Sequence, residues 1–316
     1  MPIFIKLLKD GHIDEPDIKV LEKIRSTYAA QLFASIDRVT SALDLYYTVK
    51  AFPSTITKAI VLNQSGIRVN GPLSLENSKL LTANDNTGRQ LVVKLLFTDN
   101  DDVRPLTVRN AEIAKEVTFC QFFATNPHHA LVPCEVVRVE VPHEFVEQSR
   151  RSGEFTALVM PYYIRSLASG PTFSQTVVAR EGSRMVEALM HIHSHGYVHM
   201  DVKGDNIFTD VDGNWFLGDF GSACPLGTNV RTTTEVFYPS LIVGMEALPK
   251  YDWFMLLVTL LIELDDKVGW ALKLIAPGQH QVDNDLVMGE GRRVAGNESY
   301  LPKVQTLIAE IAAMSL

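Results

Sequence analysis

The sequence predicts an α+β chain of two unequal lobes: a small N-terminal β-sheet lobe with one helix, then a larger, mainly helical C-terminal lobe. Three observations predict it. Short strand-like segments separated by turn residues fill the stretch from about Gly66 to Phe97 and recur near residues 135 and 155. A single amphipathic pattern interrupts them between Ala111 and Ala124, and beyond Pro161 the apolar spacing becomes helical. These changes place a domain at 66–316, with an N-lobe at 66–160, a hinge at 161–166 and a C-lobe at 167–316. Residues 1–65 read as a helical extension with no assignable motif.

The elements follow in order. Between residues 14 and 50, Ile18, Leu21, Ile24, Ala29, Leu32 and Ile36 recur at helical spacings until Pro53 breaks the stretch. Leu80-Leu81-Thr82-Ala83 and Leu91-Val92-Val93-Lys94-Leu95-Leu96-Phe97 flank the turn residues Asn84-Asp85-Asn86-Thr87-Gly88, which predicts a β-hairpin. Ile113, Val117, Cys120 and Ala124 mark one helix face, while Glu135 to Val139 and Phe155 to Met160 are expected strands. Val178, Met185, Leu189 and Ile192 form a buried stripe, and the apolar stretch from Trp253 to Ile262 predicts a core helix.

Composition narrows the function. A formal net charge of -8 disfavours nucleic acid and anionic membranes as partners, because both need a basic face. Cys120, Cys134 and Cys224 form no CxxC pair, which points to a reducing, cytoplasmic setting with the nucleus not excluded. The apolar N-terminal stretch is too short for a secretory signal, and 253–262 falls well short of the roughly 20 residues that span a bilayer.

The sharpest signal is His199-Met200-Asp201-Val202-Lys203-Gly204-Asp205-Asn206 with Asp219-Phe220-Gly221 eighteen residues after Asp201. Phosphoryl transfer needs an aimed nucleophile and a neutralised phosphoryl charge, and little else from a protein. A carboxylate must accept the hydroxyl proton, and oxygen ligands must hold hard Mg²⁺ ions. Asp201, Asn206 and Asp219 are the right chemical types for these tasks. A second constellation is Leu91-Val92-Val93-Lys94, in which Val92 and Lys94 share one strand face. A buried strand lysine is costly unless its ammonium is paired.

These segments resemble the catalytic loop, the Asp-Phe-Gly motif and the V-A-I-K strand of eukaryotic-type protein kinases. The resemblance covers about residues 66–265 and implies use of ATP and Mg²⁺ on the serine or threonine hydroxyls of a protein substrate. It implies Asp201 as base, Lys203 as the residue that steadies the γ-phosphate, and Asn206 and Asp219 as magnesium ligands. It implies that Lys94 reaches the α- and β-phosphates, paired with a glutamate of the following helix. Glu112 and Glu116 both stand there, and Glu116 is preferred because the position four residues on is then the apolar Cys120. Val92 is expected on the adenine, Met160 as gatekeeper, and Pro161 and Tyr163 as the residues that present a carbonyl and an amide to the adenine edge. Asp252 is expected to support the catalytic-loop backbone, a role compatible with capping its helix. A regulatory partner through residues 1–65 is open.

The pattern also departs from the family. Leu73 to Leu80, where the phosphate-covering loop belongs, contains no glycine to let backbone amides approach the phosphates. Met200 replaces the arginine that would receive an activation-loop phosphate, so phosphorylation at Thr232, Thr233 or Thr234 is not expected to be the on-switch. Phe237-Tyr238-Pro239-Ser240 stands where A-P-E belongs, and the chain after Asp252 is short. A pseudokinase scaffold and a small-molecule kinase are the competing functions. His191, His193 and His195 read as the end of a helix rather than a metal site, and His199 as a packed histidine against Phe220.

Overall fold

The computed structural model describes residues 62–63, 66–73, 79–96, 106–140, 154–238, 242–265, 270–277 and 279–315. The helical stretch expected at 14–50, most of the 1–65 extension, residues 74–78 of the expected phosphate loop and Pro239-Ser240 lie outside them. The chain divides into two compact units. One contains residues up to Leu106 together with Cys134–Tyr162, and the other contains Thr107–Pro133 and Tyr163–Leu316.

The first unit is an antiparallel sheet of five described strands: β1 (Arg68–Pro72), β2 (Leu80–Asn84), β3 (Gln90–Leu96), β4 (Glu135–Glu140) and β5 (Glu154–Pro161). Their order is β1-β2-β3-β5-β4. The predicted hairpin forms as β2–β3, in register from Leu80 opposite Lys94 to Asn84 opposite Gln90. Its turn is closed by Asp85, whose Oδ1 accepts from the Thr87 amide at 2.9 Å and the Arg89 amide at 3.0 Å, while Gly88 takes the positive φ the bend requires. Leu91, Val92, Val93, Leu95 and Leu96 are buried, so central strand β3 is covered on both faces.

The second unit begins with α1 (Leu106–Thr125), from Thr107 onward. Helix α2 (Gln175–Ser194) follows, N-capped by Ser174, and buries Val178, Met185, Leu189 and Ile192 as the stripe predicts. Short strands flank α2: β6 (Arg165–Ser166), which precedes it, pairs with β8 (Ile207–Thr209), β8 with β9 (Trp215–Leu217), and β7 (Tyr197–Val198) with β10 (Cys224–Pro225). Helix α3 (Pro249–Leu264) is buried at every residue from Tyr251 to Leu261, as an apolar core helix should be. Helices α4 (Trp270–Leu274), α5 (Asn284–Gly296) and α6 (Pro302–Met314) complete the unit, and α6 packs on α2, α3 and α5. Among the described residues no helix is long and apolar enough to cross a membrane.

One buried charge ties α2 to the β8–β9 hairpin. Glu181 is fully buried, and its carboxylate accepts from the Trp215 amide at 2.8 Å, Arg184 Nη1 at 2.6 Å and Arg180 Nε at 2.5 Å. A desolvated carboxylate is tolerated because each oxygen has a donor. Glu181→Ala strips the Trp215 amide and Arg184 of that acceptor. It is expected to destabilise the chain by about 3 kcal/mol, read as a lower urea midpoint with unchanged m-value.

Candidate active site

The segment between α2 and β8 is shaped by a carboxylate on α3. Asp252 is fully buried, and its oxygens accept from two consecutive backbone amides, Met200 at 2.7 Å and His199 at 2.8 Å. A third donor is His193 Nε2, at 2.8 Å. The expected support of the loop is therefore present, but capping is not. Leu248 is the N-cap of α3 with Pro249 behind it, so Asp252 lies inside the first turn and its oxygens are committed to the loop and to His193.

The backbone of Met200 is held at φ 65°, unusual for a residue with a side chain, and that side chain is fully buried. His199 donates from Nε2 to the Gly218 carbonyl at 3.0 Å and stands edge-on to Phe220 at 5.6 Å, the packed role expected of it. Its Nδ1 accepts from the Asp201 amide at 3.3 Å.

Asp201 is thereby placed with its carboxylate in a ring of donors. Lys203 Nζ and Asn206 Nδ2 each reach Oδ2 at 2.8 Å, and the Thr234 amide reaches Oδ1 at 2.9 Å. Burial pushes this carboxyl up. The Lys203 ammonium and the Thr234 hydrogen bond outweigh it and hold the group below the ordinary carboxylate range. It is ionised near neutral pH, as a proton acceptor must be. Lys203 also donates to Thr234 Oγ1 at 2.5 Å, so base, lysine and threonine form one cluster.

Asn206 spends its amide hydrogens on Asp201, with a further contact to the Asp201 carbonyl at 2.8 Å, which leaves Oδ1 as its acceptor atom. Its carbonyl accepts from the Gly218 amide at 2.9 Å, fixing the approach to the 219–221 motif. Asp219 sits in the left-handed region at φ 54°, and Phe220–Ser222 then forms a single 3-10 turn. Phe220 stacks on Phe119 of α1 at 4.6 Å, and Phe119 meets Tyr197 edge-on at 5.4 Å. A Cβ on Gly221 would lie 3.5 Å from Asp219 Oδ1 and 3.7 Å from Glu116 Oε2. Of the two candidate glutamates, Glu116 is the buried one and the one near Gly221, while Glu112 is half-exposed. Cys120, one turn on, is buried as well.

An oxygen-only donor set of one carboxylate and one amide suits a hard divalent ion such as Mg²⁺ far better than a thiolate- or imidazole-preferring metal, so Asp219 and Asn206 fit the ion the sequence implies.

The remaining expected residues lie in or next to the sheet unit. Val92 is opposite Met160 and Lys94 opposite Leu158 across β3 and β5, with Leu91 opposite Pro161. Lys94 is half-buried on a strand whose neighbours are buried. The Tyr163 ring packs in the other unit against Phe216 at 4.9 Å and Phe208 at 5.8 Å.

Two residues of the site escaped the sequence. Thr234 appeared only as a phosphorylation candidate, yet its amide and hydroxyl serve Asp201 and Lys203. A loss of activity in Thr234→Ala therefore does not by itself report loop phosphorylation. His193 was read as a helix-end residue, and no local spacing links it to Asp252, fifty-nine residues away.

Residues 80–274 match the protein kinase domain family. Mitogen-activated protein kinase kinase kinase 3 is 28% identical in the human protein and 34% in the mouse one, over 206 residues that cover 59% of this chain and 30% of each relative. Human serine/threonine-protein kinase MRCK gamma is 34% identical over 125 residues, 33% of this chain and 8% of that protein. The chain thus spans less than a third of the length of these relatives.

Removing the ammonium leaves burial less opposed at Asp201. In Lys203→Met, the Asp201 carboxyl titration followed by NMR is expected to move to higher pH than in the unaltered chain. An unmoved titration would contradict the balance of causes given above.

Proposed function

The chain belongs to the protein kinase family, and we propose that it is an active kinase that transfers the γ-phosphate of ATP, with Mg²⁺, to serine or threonine hydroxyls of protein substrates. The observation that carries this reading is the Asp201 cluster, an ionised carboxylate locked between Lys203, Asn206 and Thr234. In the reaction, the substrate hydroxyl loses its proton to Asp201 as its oxygen bonds to the γ-phosphorus. The bond from phosphorus to the bridging oxygen breaks and ADP leaves. Mg²⁺ held by Asp219 and Asn206 would supply charge neutralisation on the phosphates.

Lys203, placed beside the base, steadies the γ-phosphate. On this reading Lys94 takes the α- and β-phosphates with Glu116 as its expected partner, while Val92, Met160, Pro161 and Tyr163 serve the adenine. The serine/threonine preference draws support from Lys203 two residues after the base and from the likeness to serine/threonine-protein kinase MRCK gamma.

The glycine-free stretch Leu73–Leu80 favours a second reading, a nucleotide-binding scaffold with little or no transfer. Transfer of labelled γ-phosphate to a generic protein substrate separates the two. On the active-kinase reading, Asp201→Asn lowers the rate by roughly 10²–10⁴-fold and Asp219→Ala lowers it at least as far. A rate in the unaltered chain no higher than in Asp201→Asn would establish the scaffold instead.

Because Thr234 acts here through its hydroxyl, Thr234→Ala is expected to slow transfer, Thr234→Ser to retain it, and Thr234→Glu to fail to rescue it. Rescue by glutamate, measured in the same assay, would show that a phosphate is what this position needs.

A further inference from the structure

The segment that leaves α1 turns sharply at His128-His129 and crosses the middle of α2. Its backbone is well fixed. The Leu131 amide donates to the His128 carbonyl at 3.0 Å, the Leu217 amide to the Ala130 carbonyl at 2.9 Å, and the Val132 amide to the Leu217 carbonyl at 2.9 Å. Ala130, Leu131 and Val132 are buried, and Arg184 Nη2 holds the His129 carbonyl from α2 at 3.2 Å. The side chains at the turn are more open: His129 and Glu187 are each more than half exposed.

From this arrangement we infer a binding site for one zinc-class divalent transition-metal ion, formed by His128, His129 and Glu187. The three side chains each offer one ligand atom, and these atoms all lie within 4.8 Å of one another. A tetrahedral ion with bonds of about 2.0–2.1 Å sets its ligand atoms about 3.3 Å apart. His129 Nε2 and Glu187 Oε2 are already 3.6 Å apart, too long for a hydrogen bond and close to that spacing. The remaining closure falls to exposed side-chain ends above a fixed backbone.

Two imidazoles and one carboxylate form a borderline donor set, suited to Zn²⁺ and its neighbours rather than to Mg²⁺, with a fourth position left for water. A ring on α2 supports the site from behind: His191 stacks on His128 at 5.0 Å and is itself anchored by Nε2 to the Asn126 carbonyl at 3.0 Å. The nearby Arg184 cation is matched by the Glu181 carboxylate at 2.6 Å.

The Ala130 amide opposes ligation, since it lies 3.3 Å from His128 Nδ1. Ligation through Nε2 moves the ring proton to Nδ1 and gives up this long contact. The bound ion would clamp the segment after α1 onto α2. The site is separate from the Asp201 cluster, and it stands or falls independently of phosphotransfer.

The test is titration of the full chain, carrying no polyhistidine tag, with Zn²⁺ alone, followed by isothermal calorimetry. The expected result is one Zn²⁺ per chain. His129→Ala and Glu187→Ala each weaken it at least about tenfold, the loss that even outer-sphere changes bring to metal sites. His280→Ala, an exposed histidine elsewhere, leaves it unchanged. Both ligand substitutions are at the surface, so folding, checked by thermal melting without metal, is expected to be retained. Co²⁺ in place of Zn²⁺ should give the intense visible absorption of a tetrahedral site, lost in both variants. Failure of the unaltered chain to bind stoichiometrically overturns the inference, as does equal binding by the unaltered chain and both variants.

Discussion

The carboxylate of Asp252 is the constraint from which the site's geometry descends. Desolvating a carboxylate costs several kcal/mol, and a bare charge in this helical core would not persist. Three donors converge on it, two of them the adjacent amides of His199 and Met200. Hydrogen bonds to a charged group are worth about 1.5–3 kcal/mol each, so the set offsets the desolvation only if all three are made. That requirement fixes the peptide planes on both sides of His199. The strained φ of Met200 lies just beyond these two fixed amides and turns the chain sharply away from Asp252. The next residue is Asp201, and its direction is inherited from that turn.

Burial alone pushes the Asp201 carboxyl up. Lys203, Asn206 and Thr234 supply the electrostatics, and each arrives by a different route. Lys203 and Asn206 come from the same loop, two and five residues on, so they are fixed by local geometry. Thr234 comes from more than thirty residues away, so the base is complete only when the segment after Cys224 has folded back over the loop. The cluster thus couples Asp201 to the state of that segment.

What the sequence revealed and what it hid divide along the same line. The β2–β3 hairpin, the buried stripe of α2 and the apolar helix α3 were legible because short-range periodicity encodes them. Asp201, Asn206 and Asp219 could be singled out together because their spacing lies within one loop and one hairpin. Thr234 and His193 were not, because their partners lie far along the chain and no period connects them. Helices α4, α5 and α6 were not singled out, although α6 buries Val304, Leu307, Ile308 and Ile311, and α5 buries Val287, Met288, Gly291 and Val294, at helical spacing. The choice of Glu116 over Glu112 came from a packing argument about the next turn, and burial of both Glu116 and Cys120 fits it.

The same packing joins α1 to the 219–221 motif. Phe119 stacks on Phe220, which faces His199, while Glu116, one turn back on α1, approaches Gly221. One helix therefore meets the 219–221 motif with both a ring and a carboxylate. Stacked rings resist sliding because interiors are close-packed and accommodate few intermediate arrangements. A displacement of α1 large enough to part Phe119 from Phe220 must also carry Glu116 away from Gly221. The chain thus couples the position of one helix to the 219–221 motif through ring packing. A Cβ at Gly221 would meet the Asp219 and Glu116 carboxylates at 3.5 and 3.7 Å, ordinary van der Waals distances.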